Sequence, residues 1–369
     1  MARAIFALLL KELLAVLKDK KIRFVLIGPP LIQLFIFGYA ATFDLGRIPI
    51  AVYDADRSVP SRDLVARFAG SPSFRLVAAL KSARRIPELI DSRQAAAALL
   101  IDPRFSRDLL QGRRGPIELI VDGRNSNTAL LTLGYANEVI ADFERDWGKS
   151  RGDPPPAAEI VPRAWYNPNL ISRLFFVPGL VATLTQVVVL LVVGLSVARE
   201  RETGTFDQLL VTPLGQLDIL IGKGLPGLLI GGFEASLIII AAVGWFGVPL
   251  RGGLFPLYLG LVLFALAVTG IGLMISSLAA TQQQALLGAF LFMVPSITLS
   301  GFATPIANMP PAVQYLTLLN PLRYFLVVVR GVFLEGAGLG ALWQQYWPMT
   351  LIGLLTLSAA GWLFRRRIY

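Results

Sequence analysis

The sequence predicts an α-helical polytopic membrane protein with six transmembrane helices and an inserted α/β extracytoplasmic domain. Three observations lead to this fold class. Hydrophobic residues make up 55% and charged residues only 16% of the 369 residues, whereas soluble domains have about 25% charged residues. Six apolar segments are long enough to cross a bilayer. More than half of the charged residues lie in one stretch, 45–173.

The N-terminal segments begin the membrane domain. Residues 1–22 predict an amphipathic helix at the membrane surface, with four lysines near its polar side. Residues 23–44 contain the first transmembrane helix, because no charge occurs between Arg23 and Asp44. About twenty helical residues cover a hydrocarbon core of about 30 Å. A cleaved signal peptide is the alternative, and the long charged segment before the apolar run disfavours it.

Residues 45–172 predict the inserted domain, periplasmic or extracellular. Short β-type runs alternate there with helical ones, which indicates a mixed α/β fold. The predicted strands are 48–53, 74–79, 96–101, 117–121 and 159–165, and the predicted helices are 61–69, 87–92, 104–111 and 126–147. Asp54, Asp102 and Asp122 follow strands without a paired acid, so we interpret them as turn residues.

Residues 173–369 predict a transmembrane domain of five helices. The apolar segments are about 174–197, 219–246, 254–280, 285–302 and 348–364. The first two are separated by a cytoplasmic segment, 198–218. Residues 303–347 contain several prolines and are too polar to span cleanly, so we predict re-entrant or interfacial helices on the outer side.

Basic residues in the short flanking segments set the predicted orientation. They are clustered before the first span, in and just after residues 198–218, and after the last span. With six spans these three segments share one side, which the positive-inside rule makes cytoplasmic. Both termini are therefore predicted inside and the large domain outside, since long domains translocate largely regardless of charge.

Composition excludes several classes of function. The chain has no cysteine and no histidine, which excludes thiol chemistry, histidine acid–base catalysis and the common zinc sites. The net charge of +10 does not indicate nucleic-acid binding, because the basic residues are interleaved with acids or lie at membrane edges. Gly222-Lys223-Gly224 lacks the first glycine and the hydroxyl of a phosphate-binding loop.

A charged block between two apolar segments is the most informative motif. Alternating charges at 199–202 precede Gly204-Thr205, an amphipathic turn and Pro213, which predicts a short interfacial helix that a soluble partner could contact. The block resembles the cytoplasmic coupling segment of the ATP-binding-cassette (ABC) type-2 transporter permeases, although Asp207 stands where Glu is commoner. The resemblance assigns ATPase coupling to Glu200, Glu202, Gly204, Thr205, Phe206, Asp207, Gln208, Leu209, Leu210, Thr212 and Pro213.

A second motif follows the fifth apolar segment. Residues 301–311 and 320–325 are similar to the runs that close the outer side in the same permease family. This implies a role in the translocation path or its gating for Asn320, Pro321, Arg323 and Tyr324. Simple anchoring at the interface is the alternative, because Tyr and Arg favour that depth.

Glu234 is an acid deep within an apolar run. A charge at the bilayer centre costs at least about 2.5–3.5 kcal/mol, so we expect Glu234 to face the protein interior, a cavity or another subunit. It is either a substrate or gating contact or a structural acid. Asp218 and Lys223 are interpreted as residues at the edge of the same span.

The resemblance covers nearly the whole chain, and the large outer domain is similar to that of bacterial multidrug-type exporters. The resemblance implies a type-2 ABC exporter permease in the bacterial inner membrane, which moves a drug-like or amphipathic substrate outward. The implied partners are an ABC ATPase subunit that carries ATP and Mg²⁺, a second or sister permease, and a periplasmic adaptor with an outer-membrane channel. The chain itself is expected to bind no cofactor or metal and to have no enzymatic activity.

Two other functions stay open. One is a lipid or polysaccharide flippase on the same scaffold, although the large outer domain argues against a polysaccharide exporter. The other is a membrane-anchored receptor or scaffold whose outer domain binds a ligand. A receptor of this kind needs no cytoplasmic coupling segment and no partner ATPase.

Overall fold

The computed structural model describes residues 2–18, 20–40, 47–124, 126–151, 166–167, 171–206 and 215–368. The chain forms two compact units. One comprises Met1–Thr42 with Ala164–Tyr369, and the other comprises Phe43–Arg163. The domain boundaries predicted at residues 45 and 172 stay a prediction.

The Phe43–Arg163 unit contains a four-stranded sheet in the order β2-β1-β3-β4. Its strands are β1 (Ile48–Asp54), β2 (Phe74–Ala79), β3 (Ala97–Ile101) and β4 (Ile117–Val121). β1 is parallel to β2 and β3, and β4 is antiparallel to β3. Strands thus lie at four of the five predicted positions, and the fifth, 159–165, lies outside the described residues.

Four helices accompany this sheet: α3 (Val59–Gly70), α4 (Ile86–Asp91), α5 (Phe105–Leu110) and α6 (Ser126–Arg151). The start of α3 is fixed locally, because the Ser58 hydroxyl accepts a hydrogen bond from the Ser61 amide and Pro60 lies in the first turn. Helices α3, α5 and α6 bury Leu64, Phe68, Phe105 and Phe143 in a core that the strands complete.

The other unit is helical. Its helices are α1 (Ala2–Lys18), α2 (Lys20–Ala40), α7 (Ser172–Glu202), α8 (Gln216–Gly244), α9 (Leu254–Leu278), α10 (Gln282–Thr298), α11 (Pro311–Leu316), α12 (Pro321–Arg330) and α13 (Leu339–Ile368). A π-helical turn, Gly331–Glu335, follows α12 and ends at Gly336, whose φ of 71° favours glycine.

Four described helices are long and apolar enough to cross a membrane: α7, α8, α9 and Leu339–Arg366 of α13. The pair Pro311–Leu319 and Pro321–Glu335, bent by 83°, makes a fifth if it counts as one span. The six predicted spans therefore stay a prediction. The segment predicted at 285–302 overlaps α10, which ends at Thr298 and whose 17 residues extend about 26 Å at 1.5 Å per residue.

Helix α7 lies at the centre of the helical core. It packs against α2, α8, α9, α10 and α12, while α9 packs along α13. Close contact depends on small residues, because Gly227 and Gly231 of α8 face Val193 and Val189 of α7. Steps of four residues on both helices show that α7 and α8 are antiparallel along this seam.

The helix boundaries differ from the sequence prediction in two further places. The single helix expected over 1–22 is two helices, so that Lys20, Lys21 and Arg23 belong to α2. The last helix begins at Leu339, within the segment 303–347 predicted as re-entrant or interfacial. Pro348, the first residue of the predicted span 348–364, lies inside α13.

Candidate functional site

The predicted coupling segment, 198–218, begins inside helix α7. The sequence predicted a loop with a short interfacial helix from Ala198, but α7 continues to Glu202. Arg and Glu are good helix formers, so the helix runs on until glycine is available. The amide groups of Thr203 and Gly204 bond to the carbonyls of Arg199 and Arg201, and Gly204 adopts a φ of 71°. Glu200 and Glu202 are consequently helical.

Glu200 lies in a group of four charges, the charge cluster of Lys11, Glu12, Glu200 and Lys223, in which every residue but the exposed Lys11 is buried. Lys223 Nζ lies 2.7 Å from Glu12 Oε1 and 2.7 Å from Glu200 Oε1, and Lys11 Nζ lies 2.8 Å from Glu200 Oε1. The side chain of Lys223 is 1% exposed, so this residue, interpreted from the sequence as lying at the edge of the span, is buried between helices. The cluster joins α1, α7 and α8 and has no net charge.

Glu202 and Arg201 connect the end of α7 to two other helices. Glu202 Oε2 accepts a hydrogen bond of 2.7 Å from the Gln282 amide in the first turn of α10, where the helix dipole favours a negative charge. Arg201 Nη1 donates to the carbonyls of Ser277 and Ala279 at the end of α9, at 2.7 and 3.1 Å.

Thr205 and Phe206 follow the turn at Gly204. The Thr205 amide donates to the Glu200 carbonyl at 2.9 Å. The Phe206 ring lies 5.0 Å from the Arg201 guanidinium and meets Phe364 of α13 edge-on, with centroids 5.9 Å apart. The remaining residues assigned to coupling lie outside the described residues: Asp207, Gln208, Leu209, Leu210, Thr212 and Pro213.

Asn320 is at the centre of a buried polar contact. Its Oδ1 accepts hydrogen bonds from the Ser296 hydroxyl at 2.8 Å and from the Leu322 amide at 3.1 Å, which caps α12. Its Nδ2 donates to the Ser296 carbonyl at 2.7 Å. Ser296 Oγ also lies 3.2 Å from Oε1 of Gln186 in α7. Asn320 therefore links α7, α10 and α12.

The other residues of the second motif brace the bend before α12. Pro321 is the first residue of α12. Arg323 Nη1 donates to the Thr317 hydroxyl, and the Tyr324 hydroxyl donates to the Leu318 carbonyl at 2.9 Å. The structure thus brings Asn320, Pro321, Arg323 and Tyr324 together at one bend.

Glu234 of α8 is 6% exposed, and neither of its carboxylate oxygens has a hydrogen-bond partner among the described residues. The seam between α7 and α8 continues from Gly231 and Val189, so the next turn places Glu234 opposite the turn of α7 that contains Gln186. Gln186 is fully buried, and its Nε2 also lacks a partner in the part of the chain described. Both α7 and α8 therefore carry buried polar atoms that have no partner among the described residues.

Sequence reasoning missed Lys11, Glu12, Gln186, Arg201 and Ser296 as members of these sites. One signal was present for the charge cluster. A lysine at the eighth position of an apolar helix requires a counterion, and acids were available in the first amphipathic helix and at the end of α7. Which acid pairs with Lys223 depends on contacts between segments that are distant in the chain, and a single sequence does not contain that information.

Comparison with known proteins identifies the family of this chain. The profile of the family described as "ABC-2 family transporter protein" matches residues 20–362. The chain is 40% identical to the "Probable multidrug ABC transporter permease YbhR" of Escherichia coli K12, over 100% of both chains. It is 32% identical to "Probable multidrug ABC transporter permease YbhS" of the same organism, over 90% of this chain and 89% of the relative.

A third relative, "Inner membrane transport permease YhhJ" of Escherichia coli K12, is 30% identical over 99% of this chain and 98% of its own length. The matched residues include the coupling segment 198–218, the second motif at 301–325 and the Phe43–Arg163 unit. With its multi-pass helical core, the chain therefore belongs to the ABC-2 transporter family, as a permease subunit of an ABC exporter.

Proposed function

We propose that this permease moves a drug-like or amphipathic substrate outward, driven by a separate ATPase subunit that docks on residues 198–218. The observation that carries the proposal is the way the end of α7 is held. Salt bridges, hydrogen bonds and ring contacts join it to α1, α8, α9, α10 and α13. A force applied just beyond Phe206 would therefore move several helices together rather than bend one loop.

The proposed roles of the two kinds of subunit are those that the permease family implies. ATP and Mg²⁺ belong to the partner subunit, and this chain binds no cofactor. Two permeases, identical or sister proteins, would assemble on two ATPases. Exposed apolar side chains on α10, including Leu287, Phe290 and Leu291, support a membrane-embedded contact with lipid or a second copy.

The proposed orientation places both termini and residues 198–218 in the cytoplasm of a bacterium, with six spans crossing the inner membrane. The Phe43–Arg163 unit would be periplasmic, where it could contact an adaptor and an outer-membrane channel. Basic residues at both chain ends support this orientation, as does the name of one relative, an inner membrane transport permease.

The proposed translocation path includes Glu234 and the bend at Asn320, Pro321, Arg323 and Tyr324. Unsatisfied polar atoms on Glu234 and Gln186 are costly in an apolar interior, and a polar group of a passing substrate would satisfy them. The relatives named as multidrug permeases support a drug-like substrate.

A pull-down from native membranes tests the ATPase partner. We expect an ATPase to co-purify with the natural chain and to be lost from a variant carrying Thr205→Arg and Leu209→Glu. Leu110→Glu is the matched control, since Leu110 is 61% exposed in the other compact unit. An intact preparation in mild detergent without ATPase activity would overturn the proposal and favour a receptor or scaffold.

A further inference from the structure

Arg330, the last residue of α12, has an unused hydrogen-bonding edge. Its Nη1 donates to the Gly301 carbonyl at 3.4 Å, while Nε and Nη2 are buried and have no partner among the described residues. Nε–H and one N–H of Nη2 point in the same direction and form one side of the planar guanidinium group. This pair of donors fits the two oxygens of a carboxylate or phosphate.

A second cation lies at the same end of α7. The guanidinium carbon of Arg330 lies 3.8 Å from the ring centroid of Phe175, in the first turn of α7. Arg173, two residues earlier, has a buried Nε without a partner in the described structure. The N-terminus of α7 has no side-chain cap from the part of the chain that the structure describes, so its partial positive charge adds to that of the two arginines.

The position of these groups along α7 indicates the depth at which a ligand would meet them. The 31 residues of α7 extend about 46 Å at 1.5 Å per residue, which matches the roughly 40–45 Å of a bilayer with its headgroups. The end of α7 opposite Glu202 therefore reaches the headgroup layer. Phe176 contacts both Phe175 and Phe302 there, and the three rings provide apolar surface.

We propose that Arg173, Arg330 and the start of α7 form a binding site for a phosphate group, supplied by the headgroup of an anionic phospholipid in the outer leaflet. Nε and Nη2 of Arg330 donate hydrogen bonds to two phosphate oxygens, and Arg173 neutralises the remaining charge. Phe175, which is 39% exposed and covers the guanidinium, is the ring that the headgroup displaces. This site is separate from the proposed substrate path and from ATPase docking.

Glu335 is the carboxylate that could compete for Arg330 within the chain. It is exposed and forms no salt bridge with Arg330 among the described residues. Glu335→Gln therefore separates an internal ion pair from a lipid site. If lipid binds Arg330, this variant binds phosphatidylglycerol as tightly as the natural chain or more tightly.

Lipid binding to the full-length, delipidated protein tests the proposal by native mass spectrometry. The probes are phosphatidylglycerol, a diacylglycerol with the same chains, and inorganic phosphate. We expect phosphatidylglycerol to bind, and Arg330→Gln and Arg173→Gln each to weaken it about tenfold, the loss expected for charge-assisted hydrogen bonds. Arg330→Lys keeps the charge without the paired donors and should also weaken binding, by about threefold or more.

Arg251→Gln is the matched control, because Arg251 already donates to the Leu334 carbonyl at 3.0 Å. It should leave phosphatidylglycerol binding within about twofold, as expected for a site it does not touch. Competition by millimolar inorganic phosphate would show that the site also accepts the free ion, and its absence would assign the site to the lipid headgroup alone. Equal binding of diacylglycerol, or unchanged binding in both arginine variants, would overturn the proposal.

Discussion

Three aspartates at strand ends in the Phe43–Arg163 unit share one contact. Asp54, Asp102 and Asp122 each accept a hydrogen bond from the amide two residues later, at 2.9 to 3.1 Å. This geometry is that of an Asx-turn, which confirms their interpretation as turn residues. Arg124 also connects the turn at Asp122 to α4, because its Nη2 donates to the Ile90 carbonyl at the end of that helix.

Arg124 gives Asp122 a distinct pH dependence. Hydrogen bonds from the Arg124 side chain and amide lower the pKa of Asp122 from 3.8 to about 2. A carboxyl whose pKa is lower in the folded state stabilises that state above its unfolded pKa. This contribution is therefore complete above pH of about 4 and is lost as the pH falls towards about 2.

Carboxyl NMR of aspartate-labelled full-length protein checks this titration. We expect Asp122 to titrate near pH 2, and Arg124→Gln to move the midpoint up towards the ordinary value near 3.8. Arg75→Gln, an exposed arginine on β2, should leave it unchanged. A midpoint near 3.8 in the natural chain would contradict the ion pair.

At the residue scale the sequence identified which positions are unusual but not their partners. The sequence predicts ATPase coupling for Glu200 and either a substrate or gating contact or a structural role for Glu234. The structure shows that Glu200 is paired and buried, whereas Glu234 is buried without a partner in the described structure. Partners such as Lys11 and Glu12 come from a helix that is distant in the chain, so local patterns could not assign them.

Helix α9 approaches α13 closely at one glycine. A methyl group on Gly270 would lie 2.2 Å from Thr356 Oγ1 and 2.7 Å from the Leu357 backbone nitrogen. Backbone cannot rotate away as a side-chain end can, so the helices would have to separate. The Thr356 hydroxyl also donates to the Ala267 carbonyl at 3.2 Å, and this bond would be strained.

Gly270→Ala should destabilise the protein by about 1–3 kcal/mol, the usual cost of overpacking a core. Gly232→Ala in α8 is the matched control, since no atom of the described residues lies within 4 Å of the added methyl group. Thermal unfolding of both variants in the same detergent checks the difference. Equal unfolding temperatures would show that α9 and α13 can separate without loss.

Helices and strands were predictable where periodicity and caps were clear. The predicted strands 48–53, 74–79 and 117–121 coincide closely with β1, β2 and β4. Helix ends near charges and prolines were not predictable to the same degree. The continuation of α7 through Glu202 and the start of α13 at Leu339 depend on tertiary contacts that hold residues of mixed polarity in helices.

The charge cluster connects the first helix of the chain to the centre of the membrane unit. Lys223→Met would leave Glu12 buried without its counterion. Removing one partner of a buried ion pair costs about 3–5 kcal/mol, so we expect a large loss of thermal stability. Adding Glu12→Gln to this variant should recover much of the loss, because Glu200 keeps Lys11.

The single and double variants form a double-mutant cycle, measured by thermal unfolding of the full-length protein. Lys18→Met is the control, since Lys18 is exposed on the same helix α1. A Lys223→Met protein as stable as the natural chain would show that the cluster contributes nothing. A double variant less stable than Lys223→Met would show that Glu12 has another role.

For the molecule as a whole, the sequence contained the family and the membrane character. Apolar segment length and the two motifs carry that information directly, and the family match spans residues 20–362. The convergence of α1, α8, α9, α10 and α13 on the end of α7 was not predicted, because it arises from helix packing. The proposed site at Arg330 was missed for the same reason.

The pairing of Lys223 with Glu12 also has a consequence for biosynthesis. Chains are made from the N-terminus, so Glu12, 211 residues earlier, and Glu200 both exist before Lys223 leaves the ribosome. When α8 enters the bilayer, the counterions of its buried lysine have already been synthesised. The first helix thus supplies one of the two acids that meet the buried lysine when α8 inserts, and a nascent chain without it would leave Glu200 as the acid paired with that charge in lipid.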